Sequence, residues 1–312
     1  MRKTDFIFDT DIGSDCDDIM ALTYLVYAKR NLNINLKAVT YSHNCPHAIA
    51  LIRAFFKDLG EEIPMLGRMP AELVERDNYS RAVAMKYAHE EDYAPVPDAV
   101  SVLRHALAES EGAILCAVGP FTNIAALLKS PADEISPLDG VSLVREKCSK
   151  VVVMGGRFTP EPDGSLRPEW NALLDPAATR TMAELCPVPM VFVPFELGFG
   201  IITGGPIMEK YGEETPLSLA FVKYSNARMH GGRHSWDPAA AVYAVEGEKD
   251  FFAMEKRGTV TVDAEGRTLL TEDINGQHVI LTVKTDAGRT EQQSKERIAA
   301  YIDACAMRVY ER

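Results

Sequence analysis

The stretch IFDTDIGSDCDDIMAL, residues 7–22, decides the reading of the whole chain. Phe6, Ile7 and Phe8 form an uninterrupted apolar run, as expected at the end of a buried strand. Asp17 and Asp18 then open an apolar segment containing Ile19, Met20, Leu22, Leu25 and Val26, long enough for a buried helix. The loop between them carries five aspartates within ten residues (Asp9, Asp11, Asp15, Asp17 and Asp18), with Gly13 allowing a sharp turn. One or two aspartates at a helix start are explained by capping and by the helix dipole. Five between two buried elements call for a positive charge to neutralise them, because unpaired buried carboxylates are costly. Oxygen ligands with no His or Cys beside them favour Ca²⁺ or Mg²⁺ over zinc.

Working outward, strand-loop-helix units recur. Residues 36–41 read as a strand, 42–46 as a polar loop and 48–56 as a helix. A short third strand is expected at 63–66, followed by a charged, irregular excursion over 67–97 with one helix near 80–88 that could help cover a pocket. Helix resumes at 99–110, and strands at 113–118, 151–154 and 189–194 alternate with helices after Gly119 and over 175–185. The sequence predicts an α/β fold, a single large domain over residues 1–312 with a mostly parallel open sheet flanked by helices. Residues 258–262, 268–270 and 279–283 are β-rich and separated by Glu265-Gly266 and Asn275-Gly276, which predicts C-terminal antiparallel hairpins before a last helix over 291–309. In such a sheet, ligands bind outside the carboxyl ends of the strands, so the loops at 9–18, 42–44, 119–123 and 155–171 are expected to converge.

Composition narrows the partners. With a formal charge of −12, no basic patch and 46% hydrophobic residues, the chain has an ample core and nothing to hold a nucleic acid or an anionic membrane. The N-terminus MRKTDFIF enters a strand without an apolar signal region, so a cytoplasmic location is expected. Six cysteines (Cys16, Cys45, Cys116, Cys148, Cys186 and Cys305) lack CxxC spacing and read as free thiols.

Five segments then resemble one family. The aspartate-rich DTDIGSDCDD at residues 9–18 is similar to the N-terminal signature of the inosine-uridine preferring nucleoside hydrolases and their relatives. Gly119-Pro-Phe-Thr-Asn-Ile124, Val153-Met-Gly-Gly156, Glu169-Trp-Asn171 with Asp175-Pro176, and Trp236-Asp-Pro238 resemble that family's later motifs, in the family's order. The resemblance implies Ca²⁺ held by Asp11, Asp18, the Thr122 carbonyl and Asp237, with Asp11 also the general base toward a metal-activated water. It further implies that Asp17, Asn171 and Asn44 meet the ribose diol, that Glu169 reaches further round the sugar beside Met154, and that Asp9 braces the loop. The reaction would be hydrolysis of the N-glycosidic bond of a ribonucleoside to free base and ribose, by a homodimer or homotetramer.

The chain departs from the family pattern in three places. Asp15-Cys16 are extra in the loop and Ile12 stands for a proline, so Asp15 could take over a metal or diol contact. Pro162-Asp163-Gly164 stands where a Gly-Asn pair is usual, leaving a sugar 5′-hydroxyl contact to Asp163 if to any residue. Trp236 stands for the usual His before the metal-binding Asp; indole cannot protonate a leaving base but can stack on one. His230 and His234 are the candidate substitute acids, and Trp170 is either a second stacking wall or core packing. Two other readings compete: a non-catalytic Ca²⁺-dependent riboside-binding protein, and a haloacid dehalogenase-type phosphatase with Asp9 as nucleophile.

Overall fold

The computed structural model describes residues 3–70, 77–286 and 288–311. Phe6, Ile7 and Phe8 are fully buried, as a central parallel strand requires, and each such side chain contributes about 2 kcal/mol of apolar burial. That strand, β1 (Thr4–Thr10), lies between β2 (Ile34–Tyr41) and β4 (Ala113–Ala117). Beyond β2 comes β3 (Met65–Arg68), and beyond β4 come β5 (Cys148–Met154) and β6 (Met190–Val193), all pairing in parallel. A separate two-stranded ladder joins β7 (Ile202–Thr203) to β8 (Arg233–His234). The main sheet is completed by β9 (Phe252–Val262), β10 (Thr268–Glu272) and β11 (His278–Val283). Its order is β10-β9-β11-β6-β5-β4-β1-β2-β3: β11 runs parallel to β6, and the β11/β9 and β9/β10 pairs are antiparallel. The expected antiparallel strands are present and β9–β10 is a hairpin, but β11 pairs with β9 and not with β10, so Asn275-Gly276 joins strands that are not neighbours; β9 also begins at Phe252, six residues before the β-rich signal at Gly258.

Chain order along the sheet reverses between β1 and β4, and the crevice outside their carboxyl ends is where an open α/β sheet binds ligands. Two apolar clusters cover the two faces of the sheet. On one face the helix Asp17–Asn31 is buried from Asp17 to Ala28, packed against the helices Trp236–Glu246 and Glu291–Tyr310. This packing brings the N-termini of Asp17–Asn31 and Trp236–Glu246 together at the crevice. The region between β6 and β9 contains the short helices Gly205–Tyr211, Pro216–Lys223 and Ser225–His230, which the apolar pattern does not announce.

Residues 71–76 of the irregular excursion lie outside the described residues. The part that follows braces the aspartate loop. Asp77 accepts from Ser80 N–H at the start of the helix Ser80–Tyr87 (2.7 Å). The Tyr79 hydroxyl accepts from Gly13 N–H (3.0 Å) and donates to the Asp15 carbonyl (2.9 Å). No described helix is long and apolar enough to cross a membrane.

Candidate active site

A cavity of about 690 Å³ opens at the switch point, and Asp11, Asp15, Asp17, Asp18, Glu169 and Asp237 all line it. Carboxylate oxygens of Asp17, Asp18 and Asp237 lie within 4.8 Å of one another. The trio differs by one member from the carboxylates the resemblance implied: Asp17 belongs to it, and Asp11 faces the same cavity from the end of β1. Burial first, then repulsion from neighbouring carboxylates, pushes all three carboxyls far above the usual range. The repelling charges are Asp15 for Asp17; Asp11, Asp17 and Asp15 for Asp18; and Asp17, Asp18, Asp11 and Asp15 for Asp237. A buried cluster of hard oxygens that resists ionising together fits a divalent cation, whose charge would reverse that penalty.

The trio is held by hydrogen bonds from several elements. Asp17 Oδ2 accepts the N–H groups of Trp236 (2.9 Å) and Asp237 (3.1 Å), capping a helix whose own N-cap, Ser235, makes no side-chain cap bond. Thr10 Oγ1 donates to Asp18 Oδ1. Asp11 Oδ2 accepts from Ser14 Oγ (3.2 Å) and has His43 Nε2 at 3.6 Å. Gly119, just past β4, leaves the space this carboxylate needs: a Cβ there would lie 2.9 Å from both Asp11 N and Asp11 Oδ1.

Asp9 sits behind the cavity wall. Its Oδ1 accepts from Thr40 Oγ1 (2.5 Å) and Asn123 Nδ2 (2.8 Å), tying β1 to β2 and to the helix Thr122–Lys129, and burial pushes its carboxyl up to about 7. A buried carboxylate outside the cavity lining does not serve as a phosphatase nucleophile. Thr122 opens the helix after β4 but is not among the residues lining the cavity; its hydroxyl donates to Asp175 (2.7 Å).

Glu169 caps the helix Trp170–Leu174, accepting from Asn171 N–H (3.0 Å) and Ala172 N–H (3.3 Å); burial pushes its carboxyl up to about 7. Asn171 Nδ2 donates to the Val118 carbonyl (2.8 Å) and lies 3.4 Å from Met154 Sδ, and Val118 and Met154 both line the cavity. Trp170 is 56% exposed at the rim, which removes the core-packing reading. It opens a short helix whose next two residues, Asn171 and Ala172, are buried, and its own side chain lies on the outward face.

Trp236 lines the cavity with its indole fixed. Nε1 donates to the Phe195 carbonyl (2.9 Å), the ring stacks on Phe195 (centroids 5.6 Å apart), and Gly198 makes room behind, where a Cβ would fall 2.3 Å from Trp236 Cδ1. Of the other expected residues, Asn44 is half-buried and does not line the cavity. His230 is exposed at the end of its helix. His234 stacks on Phe199 (4.4 Å), and its Nδ1 accepts from Gly200 N–H (2.9 Å). Asp163 lies in an exposed turn, accepting from Ser165. Asp15 turns away from the trio to pair with Arg233, whose Nε lies 2.9 and 3.0 Å from its two carboxylate oxygens. His43, Asn78, Phe195, Tyr224 and Arg233 were not singled out as site residues from the sequence. Arg233, one residue before His234, and His43, one before Asn44, sit beside positions that had been marked.

A parallel sheet with a hard-oxygen carboxylate cluster at its switch-point crevice defines a class: α/β proteins that take a small polar ligand through a divalent cation. The chain belongs to the inosine-uridine preferring nucleoside hydrolase family, whose model matches residues 6–308, and so to the metal-dependent N-ribosyl hydrolases. Similar solved structures include the effector protein XOO4466 (15% identity, TM-score 0.71, covering 98% of this chain and 95% of that one). The type III effector XopQ, solved in complex with adenosine diphosphate ribose, is 16% identical (TM-score 0.68, 98% and 94% covered). The inosine-uridine preferring nucleoside hydrolase of Bacillus anthracis is 18% identical (TM-score 0.66, 99% and 100% covered). No curated protein matches the chain in sequence.

Proposed function

We propose that this protein hydrolyses the N-glycosidic bond of ribonucleosides in a Ca²⁺-dependent reaction. The observation that carries the reading is the buried trio Asp17, Asp18 and Asp237, which shares one cavity with Asp11, Glu169 and Asn171. Held by the trio, with the Thr122 carbonyl and Asp11 as further oxygen donors, Ca²⁺ would supply a hard cation to anchor a vicinal diol and offset the carboxylate charge.

The chain's own residues account for the rest. Asp11 takes the proton of the attacking water, whose oxygen bonds to C1′ as the electron pair of the C1′–N bond passes to the base. Ser14 and His43 hold the Asp11 carboxylate for that task. Asp17, Asn171 and Glu169 meet the sugar hydroxyls, and the surrounding carboxylates stabilise the positive charge that develops on the sugar ring. Phe195, Tyr224 and Trp236 provide an aromatic wall for the base.

The test is reducing-sugar release from inosine, adenosine, guanosine, uridine and cytidine, with Ca²⁺ and again after exhaustive chelation. Release that disappears on chelation and returns with Ca²⁺ supports the proposal. Ca²⁺-dependent quenching of Trp fluorescence by ribosides without any release would replace it with the riboside-binding reading.

A further inference from the structure

Among the described residues that line it, the cavity holds six carboxylates and one cation, Arg233. Four residues fix its guanidinium. Nε and Nη2 donate to Asp15, Nη1 donates to Asn226 Oδ1 (3.2 Å), and the group lies over the rings of Tyr224 (5.3 Å) and Trp236 (5.0 Å). The Tyr224 hydroxyl reaches the same carboxylate, 3.4 Å from Asp15 Oδ2. A guanidinium has five N–H donors, so these partners leave donors over. Resting on the hydrolase reading above, we propose that Arg233 is the leaving-group residue: it donates hydrogen bonds to the departing base and stabilises the negative charge that base acquires.

Three features argue for this role. Neither histidine upstream of Trp236 lines the cavity: His230 is exposed, and His234 is stacked on Phe199, while His43 lies against Asp11. Arg233 also lies among the aromatic residues Tyr224 and Trp236, the part of the cavity suited to a flat base, while the trio takes the diol. Finally, a guanidinium that interacts with Asp17 and had no other partner would be drawn toward the trio and compete with the cation. Asp15, one of the two extra residues of the aspartate loop, holds it off. The inserted acid and the arginine therefore form one device, set against Trp236, the residue that stands for the usual histidine.

An arginine does not give up a proton in this pH range, so its action is electrostatic. The electron pair of the C1′–N bond stays on the base nitrogen, the guanidinium hydrogen-bonds the resulting anion, and solvent water protonates it on release. Water oxygen bonds to C1′, and its proton passes to Asp11.

The experiment compares kcat/KM for inosine and for 4-nitrophenyl β-ribofuranoside, whose leaving group is stable as an anion, in the Ca²⁺-loaded wild type, Arg233→Gln and Arg233→Lys. Arg233→Gln is expected to lose about 100-fold or more on inosine and far less on the nitrophenyl riboside, with Arg233→Lys between. The double variant Asp15→Asn/Arg233→Gln, which leaves no orphaned carboxylate, is expected to show the same selective loss with its Tm retained. Equal losses on both substrates, or a selective loss of inosine cleavage in His234→Ala, would overturn the assignment while leaving the hydrolase reading standing. A wild type that cleaves neither riboside overturns the hydrolase reading, and Arg233's role with it.

Discussion

Asp17 Oδ2 accepts the backbone N–H of Asp237 at 3.1 Å, across 220 residues of sequence. One carboxylate of the proposed ion site thereby caps the helix that delivers another, so closing the helix Trp236–Glu246 and assembling the carboxylate cluster are coupled. The cap and the ion draw on different properties of Asp17: a cap needs an acceptor oxygen, whereas the ion needs charge.

Asp17→Asn and Asp17→Ala separate these roles. In chelator, Asn keeps an acceptor and should leave the protein about 1 kcal/mol more stable than Ala, the usual value of an N-cap. With Ca²⁺ at about 100 times its dissociation constant, the wild type should gain about 3 kcal/mol by mass action, and both variants clearly less. Denaturant unfolding with and without Ca²⁺ measures both differences. Equal stability of Asn and Ala in chelator would show that the cap contributes nothing.

Asp11 is the proposed base and has Ser14 and His43 on one oxygen. Asp11→Asn keeps the shape and loses the proton acceptor. The expected fall in kcat is about 100-fold or more, within the usual range for general-base catalysis, with overall fold unchanged by circular dichroism. A kcat within a few-fold of wild type would move the base elsewhere.

Gly119 tests whether the placement of Asp11 matters. A methyl group there falls 2.7 Å from Ser42 Oγ and 2.9 Å from Asp11 N and Oδ1, so something must shift. Gly119→Ala should destabilise the protein by about 1–3 kcal/mol, the usual penalty of overpacking. Because it displaces the Asp11 backbone, kcat should fall more than KM rises. Unaltered kinetics would mean that the loop relaxes without moving the carboxylate.

The sequence made the sheet legible where local patterns are strong. Phe6–Phe8 could only be a buried strand, and Asn275-Gly276 marked the turn before β11. The stretch between β6 and β9 was less legible because its helices are short, yet Gly205-Pro206 and Thr215-Pro216 are ordinary helix starts with Pro in the first turn. The gathering of the aspartates at one cavity was legible through their density, which exceeds what helix capping calls for. The Asp15–Arg233 pair was not, since it joins residues 218 apart and neither carries a local signal of the other. His43 was hidden in the same way. It lies beside the predicted Asn44, and only the turn after β2 decides which of the two faces Asp11.

Glu169 gives the fold a pH dependence of its own. Burial lifts its carboxyl from an ordinary value of 4.5 to about 7, although the N–H groups of Asn171 and Ala172 pull the other way. Between those values the folded state holds a proton that the unfolded chain has released. Stability therefore falls as pH rises from about 4.5 to 7, and this one group contributes about 3 kcal/mol to the fall. Glu169→Gln, which keeps an acceptor for the cap but cannot ionise, should flatten that part of the curve. The measurement is ΔG of unfolding in chelator at several pH values for both proteins. Their difference should grow in favour of Gln up to about pH 7 and level off above it. A difference that is constant with pH would mean that Glu169 titrates alike in the folded and unfolded chain, and that water reaches it despite its burial.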